Sequence, residues 1–513
     1  MFISFLQNCA SRLLHALTRL KKNRPHPYRI NRIMRIWGAI SFSFILTLNT
    51  ESNACAVVDP PPLNPQLEKI IGRELPQNCE VSCQVAELNS GRILMEKNPD
   101  LALTPASTLK IVTSATALSA LGPDFRFITQ IFTDRINGGS VGNLFVKGHG
   151  DPHLVTEELF SLVRELIDRG LTEVNRSIVV DDSFFTPDTP LDEAEELGFR
   201  SYHAPYSALS LNFNSLKIAV IPGSTPGSPS RLIMDPMSGY ASLSGHVQTV
   251  SGGSPLKIEI SKKPVTNGTE HIMVEGSIGA EAPAKGKYVN VQFPALYTGN
   301  VLKDLLIREG IKVQGNVVKG QTPSAAKLYL EHQSMPLGLI VYWLDKLSNN
   351  FMAEQICLAL GAFSHGAPGT REKGLDMMRK FLIQAGAPKS SFFLADASGL
   401  SRSNKISASA LVRTLAASSQ DFYTSPEFIS SLGISGVDGT LREKFTDKGV
   451  RGKIRAKTGT LRGVNALAGY GLDKNGAPVV FAILVNCGQK GVGIIDYADK
   501  IMRSIFSAVL NRQ

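Results

Sequence analysis

The sequence predicts an α/β (α+β) fold: a mixed domain with an antiparallel sheet and helices, interrupted by a large β-rich insertion. Three observations carry that expectation. Apolar residues recur with helical period over 105–121 and again from Met335 to Ala417. Between these blocks, from residue 126 to about 330, short alternating runs are separated by clusters of Gly, Pro, Ser and Asn. After Arg451 three short apolar runs follow one another with turn signals between them, as in an antiparallel meander. A chain of 513 residues is also too long for one core, so two or three domains are expected.

Taken in order, residues 57–76 begin Pro-rich and lead into a short amphipathic helix over 67–75. Strands at 81–88 and 92–96 flank Asn89-Ser-Gly91, a hairpin signal. Thr104-Pro105 reads as a helix start, because Thr is a favoured N-cap and Pro suits the first turn; Gly122 follows the last apolar residue as a stop. In the insertion, strands are expected at 127–133, 142–148, 177–180, 216–221, 258–260 and 271–275, with helices at 156–169 and 297–309. Pro336 opens a helix into Lys346, Ser348-Asn-Asn350 interrupts it, and 352–362 resumes. Helices at 371–385 and 407–417 precede strands at 454–457, 466–471 and 479–485; Asp473-Lys-Asn-Gly476 turns between the last two. A final amphipathic helix, about 495–510, is placed to cover one face of that sheet.

The formal charge of +10 does not mark a nucleic-acid binder. Residues 1–56 hold +7 of it, which leaves +3 for the rest, too little for an extended phosphate-binding face. That basic end reads as an address. Arg32 and Arg35 precede a 13-residue apolar run, Ile36 to Leu48, which leads to Ala54-Cys-Ala56, the pattern of a secretory signal cleaved after Ala56. The run is shorter than the ~20 residues of a spanning helix, so membrane association is at most peripheral; an uncleaved N-terminal anchor is the alternative. Met34 would begin a conventional signal by itself. A lipoprotein reading at Cys55 lacks the aliphatic residue expected three positions earlier. The protein is thus expected to be exported, periplasmic or otherwise extracytoplasmic. Beyond the signal, Cys79, Cys83, Cys357 and Cys487 allow three pairings. Cys79 and Cys83 are near enough in sequence for a local bridge, while Cys357 and Cys487 sit in apolar segments that suit buried thiols.

Three short motifs carry the chemistry. Ser107-Thr-Leu-Lys110 puts a hydroxyl and an amine at i, i+3 on one face near the start of an apolar helix. There the helix dipole favours negative charge on the serine oxygen, and a desolvated Lys110, or one beside a second cation such as Lys457, can serve as base. Two further Ser-x-x-Lys matches, at Ser254 and Ser324, lie outside apolar helices. Ser348-Asn-Asn350 interrupts two helices, where a short loop can aim side chains into a cleft; Ser210-Leu-Asn212 has no such setting. Lys457-Thr-Gly459 occurs once, at a strand end, where Gly459 has no Cβ to obstruct an incoming peptide and the N–H of Thr460 is available to an oxyanion. Gly138-Gly-Ser-Val-Gly142 imitates a nucleophile elbow but sits between two strands instead of between strand and helix. His149-Gly-Asp-Pro-His153 lacks helical spacing and a third obvious ligand, so neither a metal nor an organic cofactor is expected.

Together the three motifs resemble those of the class C low-molecular-weight penicillin-binding proteins, a D-alanyl-D-alanine carboxypeptidase/endopeptidase (serine peptidase) family. The resemblance extends to Gly148-His-Gly-Asp-Pro152, Val180-Asp-Asp-Ser183, His332-Gln-Ser-Met-Pro-Leu337, Ser398-Gly-Leu-Ser-Arg402, Asp438-Gly-Thr-Leu-Arg442 and Leu467-Ala-Gly-Tyr470. It implies a penicilloyl-serine transferase/β-lactamase-like domain over 57–125 and 331–513, split by inserted β-rich subdomains over 126–330. It implies Ser107 as the acylated residue, Lys110 as proton acceptor and Ser348 as proton relay, with Asn350 on the acyl amide and Lys457 on the terminal carboxylate. Thr458, Gly459 and Thr460 would line the substrate, and Asp181 would meet a free amine of the stem peptide. Expected partners are peptidoglycan stem peptides ending in D-Ala-D-Ala, with β-lactams as covalent inhibitors. The competing readings are a β-lactamase on the same fold and a non-catalytic module that binds peptidoglycan or senses β-lactams.

Overall fold

The computed structural model describes residues 64–75, 78–186, 204–265, 268–473, 475–488 and 497–510. The export signal expected in residues 1–56 lies outside them. The architecture centres on a six-stranded antiparallel sheet: β1 (Cys79–Glu87), β2 (Ile93–Lys97), β3 (Gly433–Ile434), β4 (Ile454–Leu461), β5 (Val464–Leu472) and β6 (Pro478–Cys487), in spatial order β2-β1-β6-β5-β4-β3. Among the described residues the first strand therefore pairs with the last, and all three sequence-predicted C-terminal strands join them.

Period-2 alternation assigns the two faces of this sheet. Phe481, Ile483 and Val485 of β6 point to one side, where they pack with α1 (Asn64–Glu74) and the last helix (Tyr497–Leu510) through Leu67, Ile71, Ile501 and Met502. Val480, Ala482 and Leu484 point to the other, against helices α2 (Lys110–Leu121), α3 (Leu337–Leu347), α4 (Asn350–His365), α5 (Arg371–Gln384) and α6 (Ala408–Gln420). Each fully buried Leu, Ile or Phe contributes roughly 1.5–3 kcal/mol, so both layers are held mainly by apolar burial. Ala466, Ala468 and Ala482 keep the helical layer close to the sheet.

The stretch that interrupts this domain has its own apolar cluster. Strands Ile128–Thr133 and Lys327–Gln333, at its two ends, pair with each other, so the chain leaves and returns side by side. They belong to a five-stranded sheet that adds Leu144–Gly148, Ile178–Asp181 and Val317–Lys319 and packs with helices Thr156–Asp168 and Pro294–Arg308. Two three-stranded sheets, one of Arg231–Asp235, Ser215–Ile221 and Lys285–Asn290, the other of Ala241–Val250, Thr269–Gly279 and Lys257–Val265, join a small four-stranded sheet of Lys312–Val313, Glu173–Val174, Ser140–Val141 and Ile136–Asn137 in the same region. The strands at 231–235, 241–250, 285–290, 317–319 and 327–333 were not visible in the sequence pattern. Few of their residues are buried, and Ile233, Tyr288 and Leu328 are apolar yet exposed, which blurs the alternation.

Two local expectations are corrected. Cys79 bonds to Cys487, its register partner on β6, and Cys83 and Cys357 are buried thiols. A Cys79–Cys83 bridge is excluded because four residues along an extended strand span about 13 Å, far beyond disulfide reach. Thr104 does not cap the next helix: its hydroxyl donates to the Arg402 carbonyl, and the first turn, Ala106–Leu109, is 3-10 instead of α. The Gly138–Gly142 segment forms a hairpin between Ile136–Asn137 and Ser140–Val141, which leaves it no nucleophile-elbow geometry.

Candidate active site

Ser107 lies in the 3-10 turn just before α2, partly exposed while its neighbours Ala106, Thr108 and Leu109 are buried. Ala106 reaches a positive φ of 48°, a conformation that costs a non-glycine residue about 1–3 kcal/mol and that swings Ser107 outward. Lys110 starts α2 and is 0% exposed. Its Nζ lies 3.1 Å from Ser107 Oγ, 2.7 Å from Asn350 Oδ1 and 2.6 Å from the Ser398 carbonyl oxygen. Burial, and next the charge of Lys457, lower its pKa from 10.5 to about 7.

Those three contacts decide what the amine can do. A neutral amine has two N–H donors and one lone pair. Asn350 Oδ1 and the Ser398 carbonyl can only accept, so they take both N–H groups. The remaining lone pair then faces Ser107 Oγ, in the geometry of a base about to remove its proton.

The second cation stands on the sheet. Lys457, also 0% exposed, projects from β4 and donates to Ser348 Oγ at 2.8 Å and to the Thr458 carbonyl at 3.0 Å. Burial lowers its pKa to about 8, against the opposing attraction of Asp345. Ser348 ends α3 with a left-handed φ of 55°, and Asn349 then caps α4 by accepting from Met352 N–H at 3.1 Å. That break between two helices aims Ser348 at one lysine and Asn350 at the other.

Gly459 has a use that its motif does not announce. A Cβ there would lie 2.5 Å from the Pro105 carbonyl oxygen and 3.1 Å from Thr108 N, so its missing side chain makes room for the protein's own Ser107 turn. The open edge of β4 is a separate feature. Ser435 N–H donates to the Ile454 carbonyl, and Ala456 pairs with Gly433, so even-numbered residues of β4 direct their backbone groups toward β3. β3 pairs no farther along than Ala456. The register with β5 continues unshifted, which leaves Thr458 and Thr460 facing outward beyond that point. Thr458 Oγ1 bonds to Thr440 Oγ1 at 2.9 Å, and Thr460 is exposed.

Several supporting carboxylates have no motif to announce them. Glu354 Oε1 accepts from Ala397 and Ser398 N–H, and Asp396 accepts from Gly399 and Ser401 N–H; together they shape the loop whose carbonyl holds Lys110. Burial, with the nearby Asp396 charge, raises the pKa of Glu354, and burial raises that of Asp345, which accepts from Ser431 Oγ. The only sequence signal of Asp345 and Glu354 is an acid inside an otherwise apolar helix, and Asp396, in a loop, has none.

Asp181 belongs to none of this. It is 1% exposed and accepts from Ser183 N–H, Ser183 Oγ and Thr322 N–H within the inserted region, while adjacent Asp182 pairs with Lys319 at 2.8 Å. Asp151 of the His149–His153 turn accepts from His153 N–H at 2.8 Å. No cluster of three or more His, Cys, Asp or Glu with metal-binding geometry occurs among the described residues.

Residues 63–502 match the family described as D-Ala-D-Ala carboxypeptidase 3 (S13). The chain is 31% identical over 435 residues to a D-alanyl-D-alanine carboxypeptidase of Actinomadura sp. (strain R39), covering 81% of this chain and 79% of that one. Its fold is similar to the crystal structure of penicillin binding protein 4 (dacB) from Haemophilus influenzae, with a TM-score of 0.74, 23% identity and coverage of 87% and 99% of the two chains. A structure of that protein complexed with a β-lactam gives a TM-score of 0.71, at 23% identity and coverage of 87% and 100%.

Proposed function

Since the chain belongs to the D-Ala-D-Ala carboxypeptidase 3 (S13) family, we propose that Ser107 is the residue through which this serine-type D-alanyl-D-alanine carboxypeptidase forms its acyl-enzyme. The observation that carries the assignment is the buried Lys110 Nζ, 3.1 Å from Ser107 Oγ and held from its other sides by two oxygens that can only accept, Asn350 Oδ1 and the Ser398 carbonyl. In this reading the catalytic parts are residues 57–125 and 331–513, and 126–330 is an insertion.

A stem peptide ending in D-Ala-D-Ala adds as an antiparallel strand along the open edge of β4, in the β-augmentation mode of peptide recognition. Lys110 takes the Ser107 proton as Oγ attacks the penultimate D-Ala carbonyl. The backbone N–H groups of Ser107 and Thr460 hold the resulting oxyanion, Asn350 holds the acyl amide, and Lys457 with Thr458 faces the terminal carboxylate. Ser348, in contact with Lys457, passes a proton to the departing amine, and D-alanine leaves. Water then releases the acyl group by the reverse proton path. We further propose that cross-linked peptidoglycan is cleaved by the same steps, as an endopeptidase reaction, and that β-lactams stop at the acyl-enzyme.

Such a substrate lies outside the cytoplasm, which fits the export signal read in residues 1–56; among the described residues no helix is long and apolar enough to cross a membrane. The β-lactamase and non-catalytic readings are not favoured, given the family membership. Fluorescent penicillin should label the wild-type protein covalently and leave Ser107→Ala unlabelled, with the adduct visible as an intact-mass increase. Labelling that survives the substitution sinks the assignment.

A further inference from the structure

A cavity of about 620 Å³ opens beside the Ser348–Asn350 loop, and its far wall belongs to the inserted region. Lys217, Asp235 and Tyr288 line that wall. They occupy one row across three strands, because Asp235 and Tyr288 are the register partners of Lys217 on its two sides, and cross-strand partners share a face. Asp235 and Tyr288 are exposed, and among the described residues no ion pair engages Lys217 or Asp235. An ammonium, a carboxylate and a phenol thus face a space that also reaches Ser348 and Asn350.

The direction of the substrate strand places this cavity. Antiparallel pairing with β4 runs the substrate against the numbering of that strand, so the acyl part extends from Thr460 toward Leu461 and the departing residue lies toward Lys457. Ser348 touches Lys457 Nζ at that departing end. Ser348, which hands the proton to the departing amine, lines the cavity, so the leaving-group side of the scissile bond opens into it. Its volume falls in the range of sites that enclose whole organic ligands and far exceeds what one alanine fills.

We propose that this cavity is a leaving-group subsite that seats the acceptor stem of a cross-linked peptidoglycan dimer, an inference that rests on the function proposed above. In that reaction the amide between the D-Ala carbonyl and the side-chain amine of the neighbouring stem breaks. The carbonyl passes to Ser107 Oγ, the amine leaves with the proton relayed by Ser348, and water later frees the acyl group. The departing stem carries free carboxylates, which the Lys217 ammonium complements, and peptide N–H groups, which can donate to Asp235, while Tyr288 covers the peptide.

The test compares the purified full chain with Lys217→Ala, Asp235→Ala and Tyr288→Ala on a monomeric pentapeptide stem and on a cross-linked muropeptide dimer, with penicillin acylation as a third readout. We expect kcat/KM on the dimer to fall about tenfold, the loss expected from one charge-assisted contact. D-alanine release from the monomer and acylation should stay unchanged. Equal losses on both substrates, or none on the dimer, overturn the subsite and leave the carboxypeptidase standing. A wild-type protein that trims the monomer but ignores the dimer does the same. If wild type neither releases D-alanine nor takes penicillin, the proposed function itself fails and takes the subsite with it.

Discussion

A lysine amine sealed from solvent beside a second buried lysine is easily persuaded to stay neutral, and that is the condition at Lys110. The pH dependence follows in sign. Acidifying below about 7 protonates Lys110 and removes the base; raising pH above about 8 discharges Lys457 and removes the cation facing the substrate carboxylate. The rate of penicillin acylation, followed by stopped-flow fluorescence, should therefore trace a bell with limbs near these values. Lys457→Met should abolish the alkaline limb and push the acidic limb upward, because the Lys457 charge lowers the Lys110 pKa. A flat profile between pH 6 and 9, a window set by those two values, rejects Lys110 as the base. Ser107, Lys110, Ser348, Asn350 and Lys457 could be listed from sequence because each sits in a short motif. Glu354, Asp345 and Asp396 could not, since a lone acid has meaning only through the backbone amides and side chains that fold around it.

Elements were more legible than their ends. The helices over 337–347 and 350–365 and the break between them followed from apolar period and polar interruption. The left-handed φ of Ser348 that turns the break into an aiming device did not, since it depends on the neighbours packed around it. The 3-10 turn before α2 escaped for a similar reason: tertiary hydrogen bonds claim Thr104, the residue that local propensity nominated as cap. The contact between this turn and β4 makes a direct prediction. Gly459→Ala places a methyl 2.5 Å from the Pro105 carbonyl, forcing strand and turn apart. Overpacking of this kind costs about 1–3 kcal/mol, so a fall in the thermal midpoint should accompany acylation slowed by at least about tenfold, since near-attack geometry tolerates little displacement. Unchanged kinetics would mean that β4 does not set the position of Ser107.

At the scale of the molecule, the sheet is completed by residues from opposite ends of the described chain, and the Cys79–Cys487 bond joins them across 408 positions. Sequence could offer only three pairings, because closeness across a sheet leaves no local trace. Cys487→Ser should cost about 2–5 kcal/mol, read from denaturant unfolding, whereas the wild-type protein cut once by a protease between these cysteines should run as one band without reductant and as two with it. Two bands without reductant would exclude the bond.

The meeting of β1 with β6 also has a temporal side. The earliest strand of the sheet has no neighbour on that flank until Cys487 has followed Cys79, 408 positions later, so the catalytic half cannot mature piecemeal as the chain is delivered. Ser107 and Lys457 come into register together, late, in a polypeptide that stays inert until its closing strand arrives.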